Sequence, residues 1–188
     1  MLDDAAYIRQ FLEQGSQRAL QALVEKYQGR VFTLCLKVIK DKEVAEEVAQ
    51  DVFVKAFKEL GQLKDRYKFP NWLLKIAYSK SIDQVRKKSI VKTPINQVVS
   101  PLLIENKTPL DTTVINDRKQ LLRHAINQLP SEDASIITLY YLEEMNIKEI
   151  TEIVGISTSN VKVKLFRARK SLRTIMNSLM KSDWKDLI

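Results

Sequence analysis

Apolar residues recur at steps of three and four along most of this 188-residue chain, and period-two alternation nowhere lasts long enough to predict a strand. The pattern predicts an all-α protein. A first helix is expected from about Asp3 to Gln14, stopped by Gly15, with Ser16 capping a second. The second carries Leu20, Leu23, Val24, Tyr27, Val31, Leu34, Cys35 and Val38 on one stripe, and Gly29 inside it marks a kink or a close approach. Asp41 can cap a third helix, where Val44, Ala45, Val48, Ala49, Val52, Phe53, Ala56, Phe57 and Leu60 make a clean core stripe. After Gly61 a polar, basic loop, QLKDRYKF, leads to Pro70 at the head of a fourth helix. That helix is apolar on two sides, Trp72, Leu73, Ile76 and Ala77 on one and Leu74, Tyr78, Ile82 and Val85 on the other. It therefore needs deep burial or a second partner.

From about residue 89 to residue 113 the helical period disappears, and three of the five prolines, Pro94, Pro101 and Pro109, fall there. This reads as a linker between two small helical domains, residues 1–88 and 114–181, with 182–188 a frayed tail. A flexible chain of about 25 residues averages roughly 25 to 30 Å end to end and reaches roughly 80 Å, so the domains are free to sit together or apart. Val114 to Leu129 is expected as one helix ended by Pro130, with Ser131 capping the next and Ile136, Ile137, Leu139, Tyr140 and Leu142 inside. The stretch IKEITEIVGISTSNVKVKLFRARKSLR then reads as helix, tight turn and helix, with Gly155 at the left-handed stop and Ser157 opening the second helix. Val161, Leu165, Ala168, Leu172 and Ile175 define its buried side, and it is expected to continue to about Met180.

Charge changes this picture in three places. Lys and Arg number 31 against 23 Asp and Glu, a net charge of +8 with a pI near 9.5, which makes nucleic acid or an anionic surface the expected partner. Six of those cations and no acid lie between Thr158 and Arg173. Ser159, Val163, Phe166, Arg167 and Lys170 line the side opposite the buried stripe, flanked by Asn160, Lys162, Lys164 and Arg169. A basic second helix with exposed Val163 and Phe166 suits the major groove, where thymine methyl groups meet apolar side chains, although an ordinary hairpin with a solvated basic face has the same periodicity. From Lys75 to Lys92 there are six basic residues against one acid, interleaved with aromatics, as unpaired bases and a phosphate backbone require; Trp72 is placed equally well for the core. Against this basic background, five acids and one lysine occupy Asp41 to Asp51. Carboxylates at a helix N-terminus complement its dipole, which accounts for Asp41 and Glu43 but poorly for Glu47 and Asp51.

Cys35 and His124 are the only cysteine and histidine, which excludes a disulfide framework and a cysteine or histidine zinc cluster and fits a reducing cytoplasm. Cys35 is expected as a small buried apolar side chain and His124 as a surface or half-buried one. No apolar run is long enough to span a bilayer, and the acidic, amphipathic N-terminus does not have the form of a signal peptide. With no glycine-rich phosphate loop and no histidine near the carboxylates, neither catalysis nor any cofactor or metal is expected. A free-standing helix-turn-helix regulator is the rival reading, but it has no use for the acidic helix.

The order AEEVAQDVF, then KFPNWLLKIAYSKSIDQVRKK, then LPSEDASIITLYYLEEMNIKEITEIVGISTSNVKVKLFRARKSL resembles the extracytoplasmic-function group of the sigma-70 family, and the resemblance covers nearly the whole chain. It implies a region 2-like bundle that docks on core RNA polymerase through Glu47, Gln50, Asp51 and Val54. It implies that the loop and fourth helix engage the melted minus-ten element through Lys64, Arg66, Tyr67, Asn71, Trp72, Lys75, Tyr78, Ser79, Arg86 and Lys87. A region 4-like helix-turn-helix would then read duplex DNA at the minus-thirty-five element with the basic face listed above. Tyr78 and Ser79 stand where the family usually carries an arginine or similar residue and Asn, and Asn160, Val163 and Lys164 where it commonly has Thr, Ser and Arg. A different base preference is therefore implied. The resemblance further implies an anti-sigma partner and a monomer.

Overall fold

In the computed structural model, residues 3–91 and 114–185 are described, and those residues are helical without a strand. Four helices build the first lobe: α1 (Asp4–Gln14), α2 (Gln17–Ile39), α3 (Lys42–Glu59) and α4 (Phe69–Val91). The second contains α5 (Val114–Gln128), α6 (Ser131–Tyr141), α7 (Ile147–Val154) and α8 (Thr158–Lys185). Two single 3-10 turns, Leu60–Gln62 and Arg66–Lys68, carry the chain from α3 into α4.

The expected caps set most helix ends. Asp3 accepts from the amide of Ala6 at 2.7 Å and Asp41 from that of Val44 at 3.3 Å, while Gly15 and Gly155 end α1 and α7 in the left-handed conformation at φ 64° and 74°. The bond from Val44, with Lys88 beside it, holds the Asp41 carboxyl below the usual carboxylate range. Ser157 Oγ accepts from Asn160 at 3.3 Å and opens α8. Ser131, by contrast, is not a cap. Pro130 occupies that position in an extended conformation, Ser131 is already helical, and α6 begins without a side-chain cap. Two ends also move. α4 continues three residues beyond Lys88, shortening the expected linker; the rest of that segment lies outside the described residues. α8 runs past Met180 to Lys185, so residues 182–185 are helix rather than frayed tail.

In the first lobe α2 is central, packed on α1, α3 and α4. Asp4 of α1 accepts from Lys26 Nζ at 2.6 Å and from the Tyr27 hydroxyl, and burial with that carboxylate raises the Tyr27 pKa. Cys35 is fully buried, and burial pushes its thiol up to about 11. His124 is exposed. In the second lobe α8 packs on α5, α6 and α7, with Val161, Leu165 and Ala168 buried.

The two lobes pack directly on each other. α2 packs against α6 and α4 against α7, and one continuous cluster of buried residues runs from Ile8 to Ala168. The two-sided α4 thereby receives its second partner. Asn71 and Tyr78 lie on the side of Leu74, and that side meets the second lobe.

Gly29 is neither a close approach nor a break: α2 is continuous through it, and an added Cβ would meet nothing within 4 Å. Gly29→Ala is therefore expected to raise stability by about 0.5 to 1 kcal/mol through the unfolded chain, read as a rise in the urea midpoint at constant slope.

Candidate functional site

Three surfaces carry the expected residues. On α3, Glu43, Glu46, Glu47, Gln50, Asp51 and Val54 follow one another at helical steps, and all are exposed. Val54, an apolar residue left 52% accessible, is unusual beside a run of carboxylates, and such a mixture suits a protein partner better than solvent. Asp51 takes an ion pair from Lys80 of α4 at 3.1 Å, a partner the sequence pattern did not single out. Next to this face the α2–α3 groove, about 370 Å³ in volume, is lined by Val24, Phe32, Ala49, Gln50 and Phe53 and left open by Gly29.

The second surface follows the turn before α4 and one side of that helix. Asp65 caps the turn by accepting from Tyr67 N at 3.1 Å, and Tyr67 is 78% exposed, flanked in sequence by Arg66 and Lys68. Lys75, Ser79 and Arg86 form an exposed stripe at steps of four and seven, with Lys87 exposed beside it. Trp72 is partly buried, its ring 6.1 Å from that of Phe69, so the indole is part core and part surface. Asn71 and Tyr78 are not free. The Asn71 amide donates to Glu149 Oε1 of α7 at 3.0 Å, and Tyr78 is 7% exposed. Burial, with the Glu132 carboxylate nearby, pushes the Tyr78 hydroxyl up to about 12.

The third surface is the outer side of α8. Ser159, Asn160, Lys162, Val163, Phe166, Arg167, Arg169 and Lys170 are exposed there, Phe166 by 69% and Val163 by 45%. Lys164 is half-buried, paired with Glu132 at the start of α6. Arg169 is held from behind: its Nε donates to the Tyr141 hydroxyl at 2.8 Å, and its guanidinium lies 5.2 Å from the Tyr140 ring centre. Asp133, in the first turn of α6, is partly buried, and that burial raises its pKa.

Two features escaped the sequence reading. Asn146 and Glu149 make a complete capping box on α7, which the N-x-x-E spacing before an apolar run signals by itself. The other is a basic row along α2 and the residue that ends it, Lys40. Arg30 pairs with Glu143, Lys37 donates to Asn127 Oδ1, and Lys40 donates to the Leu129 carbonyl at 2.5 Å. Burial lowers the Lys37 pKa, helped by the charges of Arg123 and Lys40. No period in the chain distinguishes these cations from solvated ones.

Comparison with known proteins places these surfaces in a family context. Residues 23–90 match the family model of sigma-70 region 2, and residues 119–172 that of sigma-70 region 4. The ECF RNA polymerase sigma factor SigM of Bacillus subtilis is 31% identical over 159 residues, spanning 84% of this chain and 95% of that protein. SigW of the same organism is 27% identical over 176 residues, spanning 89% and 94%. Among solved structures, CnrH in complex with the cytosolic domain of CnrY superposes with a TM-score of 0.63 at 21% identity, covering 93% of this chain and 97% of that one. The sigma factor RpoE of Bartonella quintana, in complex with the anti-sigma factor NepR, gives 0.62 at 18%, covering 84% and 96%. At those identities the likeness is one of fold.

Proposed function

The chain belongs to the extracytoplasmic-function group of the sigma-70 family, and from that premise we propose that it binds core RNA polymerase and directs initiation at promoters it reads through two DNA surfaces. The observation that carries this reading is the exposure, on one chain, of a carboxylate flank with an apolar residue and of two cationic faces on different lobes. Glu47, Gln50, Asp51 and Val54 are the polymerase contacts. Carboxylates spaced along an exposed helix face complement a basic partner helix, and Val54 supplies the desolvated contact.

Lys64, Arg66, Tyr67, Trp72, Lys75, Ser79, Arg86 and Lys87, with Asn71 and Tyr78 once uncovered, are the minus-ten contacts. Extracting a base costs a few kcal/mol, and the exposed Tyr67 ring between two cations offers stacking and phosphate neutralisation in return. The outer side of α8 reads the minus-thirty-five element as duplex. The cations address phosphates and guanine edges, and Val163 and Phe166 address thymine methyl groups. The chain carries no chemistry of its own in this scheme, needs no cofactor and works as a monomer. An anti-sigma protein is its proposed negative partner, in keeping with the relative crystallised with NepR.

Run-off transcription with purified core polymerase tests the reading: the chain should confer initiation at specific start sites, and none would appear if it were a free-standing operator-binding regulator. Within that assay Arg167 separates base reading from phosphate contact. Arg167→Ala is expected to cost about 1 to 3 kcal/mol in promoter binding and to relax preference at one upstream position. An equal loss on every sequence would make Arg167 a phosphate contact.

A further inference from the structure

The two edges of α8 that flank its buried stripe differ in charge. On one, Lys164 is paired with Glu132, and Asp133 follows in the same first turn of α6. Carboxylates at that edge oppose a polyanion. On the other edge Lys162, Phe166, Arg169 and Arg173 follow at steps of four, three and four, all exposed, and among the described residues neither Arg169 nor Arg173 has an ion pair. Tyr141, the last residue of α6, stands at this second edge. Its hydroxyl accepts from Arg169 Nε at 2.8 Å, and the guanidinium lies 5.2 Å from the ring centre of Tyr140 and 5.5 Å from that of Tyr141, the two rings being edge-on at 4.9 Å. Tyr141 itself is 52% exposed, so the core does not account for its place. Beside it opens a depression of about 330 Å³ lined by Tyr141, Arg169, Leu172, Arg173, Met176 and Asn177.

We propose that Tyr141 is a positioning residue for DNA binding: it orders Arg169 against a backbone phosphate of duplex DNA that runs along this edge of α8, with Arg173 as a second cation on the same strand. This rests on the assignment of α8 to duplex DNA. A helix in the major groove sets its N-terminal residues on base edges, so side chains about three turns further on and at its rim meet the flanking backbone instead. Arg169 and Arg173 occupy that place, whereas Arg167 lies on the outermost side. With Nε engaged by Tyr141, Arg169 presents its two terminal nitrogens as parallel donors, a match for two phosphate oxygens. The rings of Tyr140 and Tyr141 hold the guanidinium before DNA arrives, and less side-chain freedom is lost on binding. Leu172 and Met176 give the depression an apolar part, which suits the deoxyribose next to a phosphate.

The test titrates the full chain against a fluorescein-labelled duplex pool of randomised sequence between about 50 and 200 mM salt, with sequencing of the duplexes retained. Arg169→Ala is expected to weaken binding about tenfold near 0.1 M salt, to lower the slope of log K against log salt by about one, and to leave the retained sequences unchanged. Tyr141→Phe keeps the ring and every charge and loses only the hydroxyl. It should weaken binding about three- to fivefold in the wild-type chain and have no further effect in the Arg169→Ala background, because its influence passes through that side chain. Arg169→Lys, which keeps the charge but has no Nε–H, should preserve the salt slope and also abolish the response to Tyr141→Phe. Equal losses from Tyr141→Phe with and without Arg169, or an Arg169→Ala variant that keeps the full salt slope and changes the retained sequences, overturn the proposal. Arg167→Ala run in parallel separates this from failure of the α8 assignment. If Arg167→Ala relaxes sequence preference while Arg169→Ala and Tyr141→Phe do nothing, the positioning role alone is lost; if none of the three changes duplex binding, α8 is not the duplex reader and the proposal goes with it.

Discussion

Asp51→Lys is expected to lower run-off transcription with core polymerase about a hundredfold or more while the chain stays folded. The side chain of Asp51 is 68% exposed and its one ion pair, with Lys80, is a surface contact that adds little to stability. Reversing its charge opposite the basic partner helix proposed above costs several kcal/mol of binding, and each 1.4 kcal/mol is about a factor of ten. Pull-down of core polymerase with matched circular dichroism checks both halves. Undiminished core affinity would remove the docking assignment from α3, and a lost helical signal would show that Asp51 supports the fold. The neighbouring Val54 makes an independent probe because it carries no charge. Val54→Asp should weaken docking by desolvating a carboxylate in the contact, again without unfolding the chain.

The largest effect on stability is expected at Phe69. This ring is fully buried at the start of α4, edge-on to Tyr27 at 5.5 Å and 6.1 Å from Trp72, so it joins α2 to the helix that bears the proposed single-strand surface. Phe69→Ala removes its buried area and leaves a cavity that its ring neighbours Tyr27 and Trp72 can fill only partly. The cost is about 3 to 5 kcal/mol. That is a large share of the roughly 5 to 15 kcal/mol that holds a domain together. Urea unfolding followed at 222 nm should show the midpoint falling at nearly constant slope. A loss below about 1 kcal/mol would mean that α4 is anchored elsewhere. Since Trp72 leans on the same ring, its fluorescence should also shift towards that of a solvated indole, which links the core to the surface proposed to meet DNA.

Helix α8 shows how much of a site sequence pattern carries. Val161, Leu165 and Ala168 are buried and Phe166, Val163 and Arg167 exposed as their spacing predicts, because a helix that must bury one stripe has no choice about the other. The same logic exposed Glu47 and Asp51, since the α3 core stripe leaves them no inward position. Pattern failed at Tyr78 and Asn71, where α4 has two apolar sides and local periodicity cannot say what the second one meets. It failed again at Ser131, where a proline with fixed backbone angles took the cap from a residue of the right chemistry.

What the sequence determined by itself is therefore local: the helices of the described residues, most of their caps, the core stripe of each lobe, and the cationic or acidic character of each outer face, all consequences of a repeat of about 3.6 residues. Only the tertiary structure decided which charged residues meet across the lobes. Arg30 finds Glu143, Asn71 finds Glu149 and Lys37 finds Asn127 at separations of 78 to 113 residues along the chain. Such pairs come from the docking of one helix on another, and no interval within either helix records it.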